Sequence, residues 1–216
     1  MNKTLSLTPA FVLHRKPFSD NSFIIDFFTL HHGRMTCIAK GVKQGKSKKA
    51  AILQSFIPLM ISFSGRGEVK TLRECESVEN PLKLEDVGLY SAYYVNELLL
   101  KFLHKNETHE TVFASYAQLL KQLDKNISTT EPLLRQFEIN LLSELGYGLQ
   151  LSCTADSISP IEADKNYIYE PEQGAIEINS ISAQVNGKPI ISGKTLLAMQ
   201  QAEFTEQHVV AECKKL

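Results

Sequence analysis

The residues with the most distinctive chemistry are positively charged and lie close together in the first quarter of the chain. From Arg34 to Ala50 the sequence has no acidic side chain and six basic ones: Arg34, Lys40, Lys43, Lys46, Lys48 and Lys49. We call residues 34–50 the basic stretch. Cations this close together repel one another unless an anion lies among them. A phosphate backbone fits such a cluster, because Lys and Arg bind phosphates without reading the bases. The alternative is a solvated lysine loop that keeps the protein soluble.

Three further basic residues lie in predicted strands or connections on either side of this cluster. Arg15, Arg66 and Lys70 complete the set that we predict to contact such a phosphate backbone. Phe18 and Phe23 could provide rings on which bases stack, although aromatic residues in such stretches more often form the core of a barrel. Together these residues predict sequence-independent binding of a nucleic acid.

The sequence lacks the usual catalytic signatures. His31 and His32 could suggest a metal ligand or a general base, but no cluster of Cys, Asp or Glu is placed to complete either site. Residues 45–47 lack the earlier glycine of a phosphate-binding loop, and we find neither a nucleophile elbow nor a paired-carboxylate motif. We therefore predict a binding protein rather than an enzyme, with no cofactor and no metal.

Charge is distributed unevenly along the 216 residues, although the formal net charge is only −1. Residues 1–80 contain 12 Lys and Arg against 6 Asp and Glu, whereas residues 81–216 contain 11 against 18. A polyanion is therefore expected to meet the first part of the chain. The four cysteines are far apart, and we recognise neither a signal peptide nor a membrane-spanning run. The wide spacing of the cysteines fits a reduced, cytosolic setting.

The elements that must position the basic residues begin with five short stretches rich in apolar and β-branched residues. Strands are predicted over residues 9–15, 23–30, 34–40, 56–64 and 68–76, and a short helix over 48–54. The third and fifth strands alternate, and we expect the following residues on their apolar faces: Met35, Cys37, Ala39, Val69, Thr71 and Cys75. This order of elements is typical of an OB-type barrel.

Beyond residue 82 the apolar period becomes helical. Helices are predicted over 84–103, 108–123 and 130–145, with Thr108 and Thr130 as the N-terminal caps of the second and third. The apolar face of the first is expected to consist of Tyr90, Tyr94, Leu98, Leu99 and Phe102. A hairpin over 167–178 and two short helices follow, and Ser192 opens the first of these.

These elements predict an α+β fold. A five-stranded OB-type barrel over residues 1–80 forms a DNA-binding domain, and an α-helical bundle over 81–150 forms a second domain. A small C-terminal region of hairpin and helices over 151–216 is expected to pack on the helical domain.

Several strings of residues resemble one known protein family. They include A-F-V-L-H-R at 10–15, L-Q-S-F-I-P-L at 53–59, G-R-G-E-V-K-T-L at 65–72 and R-Q-F-E-I-N-L-L-S-E-L-G-Y-G-L at 135–149. Their order is that of the bacterial recombination mediator family RecO, and the resemblance covers nearly the whole chain. The strings at 65–72 and 135–149 together are the most specific part of it.

The resemblance implies a non-enzymatic function in recombinational DNA repair. Proteins of this family bind single- and double-stranded DNA and anneal complementary strands. With RecR, they help to load RecA onto strands coated by the single-strand-binding protein SSB. They also bind the acidic, hydrophobic C-terminal tail of SSB on the helical domain.

On this chain, the family resemblance suggests Arg135 as the residue that binds the SSB tail. Its guanidinium suits a carboxylate at the rim of an apolar groove. The groove is expected to include Leu134, Phe137 and Leu141. Three further residues are expected either in the same groove or in the interior: Leu98, Phe102 and Leu119. The alternative is an ordinary surface arginine paired with Glu131 or Glu138.

The chain departs from the family pattern in two respects. Many members carry a four-cysteine zinc site just after the string at 135–149. Here Cys153 is followed three residues later by Asp156, and no second pair of cysteines follows. One thiolate cannot form a structural zinc site, so no metal is expected. Typical members also continue into a basic tail that this sequence lacks, and its affinity for DNA is expected to be correspondingly lower.

Three alternatives to a DNA-annealing mediator remain open at this point. A general OB-fold RNA-binding protein would have no use for the helical segment. A nuclease would need metal-binding carboxylates, which the basic part of the chain lacks. An adaptor that holds SSB and RecR but barely touches DNA would differ from a mediator in the salt dependence of its DNA binding.

Overall fold

A computed structural model describes residues 7–42, 48–124, 130–156, 158–178 and 188–216. The chain divides by its internal contacts into two compact units, residues 1–130 and 131–216. This division is coarser than the three regions expected from the sequence, because it groups the barrel with the helices that follow it. The three-region arrangement therefore stays a prediction.

The first unit contains a closed five-stranded barrel. Its strands are β1 (Thr8–Ser19), β2 (Ser22–Thr29), β3 (Gly33–Lys40), β4 (Leu59–Ser64) and β5 (Val69–Ser77), and a short helix α1 (Lys48–Ile52) lies between β3 and β4. The strands close in the order β1-β2-β3-β5-β4, and β3 pairs with β5 in parallel. The predicted α+β fold with an OB-type barrel at the N-terminus is confirmed.

The inside of the barrel is filled by alternate residues of its strands. Met35, Cys37 and Ala39 of β3 are all buried there, as the alternating pattern predicted. The predicted alternation of β5 is wrong, because Val69 is exposed while Leu72 and Cys75 face the core. The cause is an irregularity in the pairing of β4 with β5, which shifts the register and breaks the two-residue period.

The hairpin of β1 and β2 is longer than expected. The sequence predicted a polar turn over residues 16–22, but β1 continues to Ser19 and β2 begins at Ser22. The pairing runs as far as Ser19 opposite Ser22, so the polar segment is an exposed two-stranded ribbon rather than a loop.

Two helices complete the first unit: α2 (Asp86–Phe102) and α3 (Glu110–Leu123). The residue at the N-cap of α3 is His109 rather than the predicted Thr108. The apolar residues at helical spacing on α3 are buried: Val112, Tyr116, Leu119, Leu120 and Leu123. The predicted face of α2 is wrong, since Tyr90 is 76% exposed and Phe102 is 49% exposed. Its buried residues are mostly small: Gly88, Ser91, Ala92, Val95, Asn96 and Leu99. Small side chains let α2 approach its neighbours closely, and the large ones are left outside.

The barrel and these helices are joined by buried contacts. Phe11 and Phe28 on the outer side of the barrel pack against the rings of Phe113 and Tyr116 of α3, with centroid separations of 5.2–6.2 Å. Tyr116 donates a 2.6 Å hydrogen bond to Oδ1 of Asn96 on α2. The Nδ2 of Asn96 in turn donates to a β1 backbone carbonyl at 3.0 Å.

The second unit begins within α4 (Thr130–Glu144), which starts at the threonine predicted as its cap. It continues with β6 (Asn166–Glu170), β7 (Gly174–Ile178), β8 (Ile190–Ser192), α5 (Gly193–Gln201) and α6 (Gln207–Cys213). The predicted hairpin is confirmed as β6 and β7, and β8 adds a third strand that the sequence did not indicate.

Ser192 is the N-cap of α5, as predicted, and its Oγ accepts a hydrogen bond from the backbone N–H of Thr195. Glu212 of α6 reinforces this cap, because its Oε2 accepts hydrogen bonds from the hydroxyl groups of Ser192 and Thr195 at 2.8 and 2.6 Å. Within the described ranges, none of the helices has the length and apolar character needed to cross a bilayer.

Candidate nucleic-acid interface

Arg15 lies on β1 and is held by the end of α1. Its Nη1 donates hydrogen bonds to the carbonyl oxygens of Ala50 at 3.2 Å and Leu53 at 2.8 Å. Its guanidinium carbon lies 4.6 Å from the centre of the Phe23 ring. The carbonyls at a helix C-terminus carry partial negative charge, which a guanidinium stabilises. Arg15 therefore attaches the far end of the basic stretch to the barrel in addition to contributing charge.

Arg34 begins the basic stretch and ties β3 to the end of α2. Its Nη1 donates a hydrogen bond to the carbonyl oxygen of Leu100, and its own carbonyl accepts one of 2.8 Å from the backbone N–H of Asn106. The side chain is half-buried, and its Nε has no hydrogen-bond partner among the described residues. A phosphate would have to share or replace these internal bonds, so Arg34 is less accessible to DNA than its charge suggests.

The more accessible cations come from neighbouring elements of the barrel. Lys40 is exposed at the end of β3, Lys49 is exposed on α1, and Arg66 is exposed in the turn between β4 and β5. Lys70 on β5 is half-buried. Helix α1 contacts β5, and β5 pairs with β3. The predicted residues Lys40, Lys49 and Lys70 therefore lie on three elements that adjoin one another.

We call the surface formed by these three adjoining elements the basic surface. Arg73 is a further basic residue on it that the sequence analysis did not predict. It is exposed on β5, its Nε donates a 2.6 Å hydrogen bond to Oγ of Ser64, and its carbonyl accepts one of 3.3 Å from Nζ of Lys49. Its charge was visible in the sequence, but the glutamates that follow it made the strand look mixed in charge. The contact with Lys49 depends on the packing of α1 against β5, which the sequence does not indicate.

The centre of the basic stretch lies outside the described residues. Lys43 and Lys46 fall there, and Lys48 begins α1 with a side chain that is also outside the description. The structure does define both ends of this segment. On one side Val42 is buried and its backbone N–H donates a 3.1 Å hydrogen bond to the carbonyl of Asn21. On the other side α1 is held by the arginine of β1.

Two cysteines beneath this surface are parts of the barrel core. Burial raises the pKa of Cys37 to about 12 and that of Cys75 to about 11. Nearby lysines oppose the shift in each case: Lys70 beside Cys37 and Lys49 beside Cys75. Neutral buried thiols are poor nucleophiles, so both cysteines serve packing rather than chemistry.

The two aromatic residues proposed as stacking platforms are placed differently. Phe18 is 58% exposed on the outer part of the β1–β2 hairpin, next to the exposed Lys16. Phe23 packs partly against the barrel core and lies under the guanidinium of Arg15. Ser22 pairs with Ser19 on one side and with Lys40 on the other, so one strand separates the end of the hairpin that carries Phe18 from the end of β3.

The side chains predicted to bind an SSB tail differ in exposure. Leu119, Phe137 and Leu141 are buried and present no free surface to a peptide. The others are at least partly accessible: Leu98, Phe102, Leu134 and Arg135. Leu98, Phe102 and Leu119 lie in the first unit, and the remaining four lie in the second.

Arg135 is engaged within its own helix. Its Nη1 lies 2.7 Å from Oε2 of Glu138, and the two side chains are only 22% and 17% exposed. This is one of the two pairings that the sequence allowed, and the other candidate, Glu131, pairs with Lys214 instead. The Nε of Arg135 has no hydrogen-bond partner among the described residues.

The part of the chain that the structure describes contains no group of three or more His, Cys, Asp or Glu placed to hold a metal. His31 faces Glu110 of α3, with Nδ1 3.3 Å from Oε1. His32 packs edge-on against Phe63, and burial, with a smaller contribution from His31, lowers the pKa of His32. Among the described residues, neither histidine belongs to a cluster of such groups.

Hydrogen bonds hold the loop around Cys153 and Asp156, at the position where many proteins of the similar family carry a zinc site. The carboxylate of Asp156 accepts hydrogen bonds from the hydroxyl of Thr154 and, at 3.0 Å, from the backbone N–H of Ile158. These bonds hold the pKa of Asp156 below its usual range. Cys153 accepts a hydrogen bond of 2.9 Å from the amide of Gln150.

Comparison with known families accounts for this combination of barrel, helices and basic surface. The model described as "Recombination protein O N terminal" matches residues 1–81, and the model described as "Recombination protein O C terminal" matches residues 87–206. The chain belongs to the RecO family. The barrel with α1 corresponds to the N-terminal family region, and helices α2 to α5 with the small sheet correspond to the C-terminal one.

Individual RecO proteins match along most of their length. "DNA repair protein RecO" of Coxiella burnetii (strain RSA 331 / Henzerling II) is 38% identical over 216 residues, which are 100% of this chain and 91% of that protein. The protein of the same name from Ralstonia nicotianae is 39% identical over 98% of this chain and 76% of its own length. That of Nitrosospira multiformis is 40% identical over 91% of this chain and 80% of its own length. The chain is thus a DNA repair protein of the RecO family.

Proposed function

We propose that this protein binds single- and double-stranded DNA through the barrel, anneals complementary strands and, with RecR, helps to load RecA onto SSB-coated single strands. It does so without making or breaking covalent bonds, and it works in the bacterial cytoplasm at the nucleoid. The observation that carries this proposal is the exposure of Lys40, Lys49 and Arg66 on a closed OB-type barrel in a chain of the RecO family.

The chemistry of this surface suits annealing. Two DNA strands repel each other, and a surface that neutralises phosphates lowers that repulsion without selecting a sequence. The other predicted contacts, Arg15, Arg34, Lys43, Lys46, Lys48 and Lys70, belong to the same proposal. The exposed ring of Phe18 offers a stacking platform for an unpaired base.

The partner proteins belong to the proposal as well. Within the second unit, we assign the SSB tail to Arg135 and the accessible apolar residue Leu134. For Arg135 to bind the terminal carboxylate of the tail, it must exchange its ion pair with Glu138 for one with the peptide.

One observation favours a second candidate, an adaptor that binds SSB and RecR but holds DNA weakly. Arg15 and Arg34 are both used in hydrogen bonds within the protein, which reduces the number of cations free to contact phosphates. The two candidates differ in how steeply the affinity for DNA falls with salt.

The deciding experiment is fluorescence-anisotropy binding of a labelled single strand at several salt concentrations. The unaltered chain is compared with a variant in which Lys43, Lys46, Lys48 and Lys49 are Ala. Each phosphate contact adds about 0.7 to the slope of log affinity against log salt for a single strand. If all four lysines contact phosphates, the variant should lose about 3 from that slope and bind far more weakly at low salt.

A control variant should carry the same change in charge at lysines outside the basic stretch. We suggest alanine at the exposed residues Lys83, Lys121, Lys214 and Lys215. Similar losses in both variants would mean that net charge, not the barrel surface, governs binding. If the unaltered chain fails to bind DNA but binds a labelled SSB-tail peptide, the adaptor is the correct function. Equal or tighter binding to RNA would favour a general RNA-binding protein.

A further inference from the structure

A cleft of about 430 Å³ lies between the barrel and α2, within the first unit. Its lining includes His14 and Arg15 of β1, Gln54 and Ser55 after α1, and Tyr93 and Glu97 of α2. This volume falls in the range of about 300–1,000 Å³ that is usual for small-molecule sites. No residue of the cleft has a function assigned so far except Arg15.

The walls of the cleft are fixed by bonds between the elements that form it. The pairing of β1 with β2 shifts register between Val12 and His14, and this bulge turns β1 at the cleft. Asn96 of α2 donates its 3.0 Å hydrogen bond to the carbonyl of Leu13, and Arg15 donates to the carbonyl of Leu53 at 2.8 Å. The cleft is therefore formed before any ligand arrives.

The lining of the cleft combines an aromatic ring with polar and charged groups. Tyr93 is 53% exposed, and its ring is held by Phe56 at a centroid separation of 4.9 Å. Around it lie hydrogen-bond donors and acceptors of both kinds: the guanidinium of Arg15, the amide of Gln54 and the carboxylate of Glu97. Glu97 also forms a 3.0 Å ion pair with Lys101, and its carboxylate is a hydrogen-bond acceptor that a phosphate, which has no donor to offer, cannot use. A flat ring with amino and carbonyl groups on its edge would be satisfied by the same residues.

We propose that this cleft receives one unstacked nucleobase of single-stranded DNA, with Tyr93 as its stacking platform. The assignment rests on the proposed function, and Arg15 supplies the connection to it. The guanidinium of Arg15 lines the cleft and also binds the end of α1, which carries Lys49 of the basic surface. A strand whose phosphates follow that surface can thus place a base in the cleft. A base within a duplex cannot enter, because it is paired and stacked.

The test compares Tyr93→Leu with Tyr93→Phe and with Tyr90→Leu, a matched control at an exposed tyrosine of α2 that is outside the cleft lining. Leucine keeps an apolar contact for Phe56 but removes the aromatic face. Binding is measured by anisotropy with three probes of equal length: a mixed-sequence single strand, a duplex, and a single strand made of abasic nucleotides. The expected result is a loss of about 5-fold or more for Tyr93→Leu on the normal single strand. No loss is expected on the duplex or the abasic strand, and Tyr93→Phe and Tyr90→Leu should bind as the unaltered chain does.

Several outcomes would overturn the assignment. If Tyr93→Leu binds the normal strand as tightly as Tyr90→Leu does, no base stacks on Tyr93, although DNA binding by the barrel would stand. If Tyr93→Leu loses affinity equally for all three probes, the residue acts on the fold or on the phosphate contacts rather than on a base. If the unaltered chain binds none of the probes at low salt, the proposed function and the cleft assignment fail together.

Discussion

The buried hydrogen bonds between Tyr116, Asn96 and the carbonyl of Leu13 can be tested by removing one oxygen atom. Tyr116 is fully buried and Asn96 is 2% exposed, so water cannot replace a lost partner. Tyr116→Phe keeps the ring and its packing but leaves Oδ1 of Asn96 without the 2.6 Å hydrogen bond. A buried acceptor without a donor costs about 1–3 kcal/mol, so we expect the first unit to lose that much stability.

The assay should report on the first unit alone, because the chain has two compact units. Cys37 is fully buried in the barrel, and a short pulse of iodoacetamide will label it only in unfolded molecules. Mass spectrometry of the labelled fraction across a urea series then gives the free energy of unfolding of this unit. Tyr90→Phe removes the hydroxyl group of an exposed tyrosine, and we expect it to change stability by less than about 0.5 kcal/mol.

A double-mutant cycle with Asn96→Leu separates the pair from its surroundings. Each single variant leaves a buried polar group unpaired, whereas the double variant removes both partners of the Tyr116–Asn96 bond. The double variant should therefore be more stable than the sum of the single effects predicts, by about 1 kcal/mol or more. Additive effects, or a Tyr116→Phe variant as stable as Tyr90→Phe, would refute this account of the buried bonds.

The same hydroxyl group makes a prediction about alkaline pH. Burial raises the pKa of Tyr116 far above the usual value of about 10. Above that pH the unfolded chain loses this proton while the folded chain keeps it, so the folded state binds more protons and stability falls as pH rises. The stability advantage of the unaltered chain over Tyr116→Phe should therefore shrink above about pH 10.

Two further predictions concern other parts of the fold. Glu212→Gln should cost the second unit about 1–3 kcal/mol in urea denaturation, because it weakens the hydrogen bonds at the start of α5. Burial alone would raise the pKa of Glu212, but these bonds hold that pKa below its usual range. The contribution of Glu212 to the stability of the folded state is therefore present above about pH 4.3, and it is lost as the pH falls through the lowered pKa. Gly33→Ala should destabilise the first unit by about 2 kcal/mol or more, since Gly33 has a φ of +61° and a β-carbon would lie 1.7 Å from the carbonyl oxygen of Glu107. Gly67→Ala, where nothing lies within 4 Å of the added carbon, is the control, and an equal effect of the two alanines on the midpoint would contradict the steric argument.

The sequence predicted the parts of the fold in which burial follows a regular period. The inner face of β3 and the buried face of α3 consist of apolar residues at the expected spacing. The face of α2 could not be predicted in this way, because its interior positions hold small residues. A β-carbon on Gly88 would lie 3.2 Å from the carbonyl oxygen of Leu123, so α2 packs through its smallest side chains and leaves its tyrosines outside.

The basic residues of the candidate site could be predicted from the sequence, but their accessibility to a ligand could not. Charge and spacing indicated the basic stretch, and the exposed Lys40 and Lys49 agree with that expectation. The internal hydrogen bonds of Arg15 and Arg34 join them to residues 35–38 and 66 positions away, which only the folded chain brings together. For the same reason the cleft beside α2 could not be predicted from the sequence.

The outer face of the barrel has a consequence for how the chain can be divided. Phe11 and Phe28 are almost fully buried, and the rings that cover them, Phe113 and Tyr116, come from α3. The N-terminal family region ends at residue 81, before either helix begins. A fragment cut at that boundary would present two phenylalanines to water and would be prone to aggregate. The N-terminal family region is therefore not an independent folding unit in this protein. A chimera that replaces the barrel must replace α2 and α3 together with it.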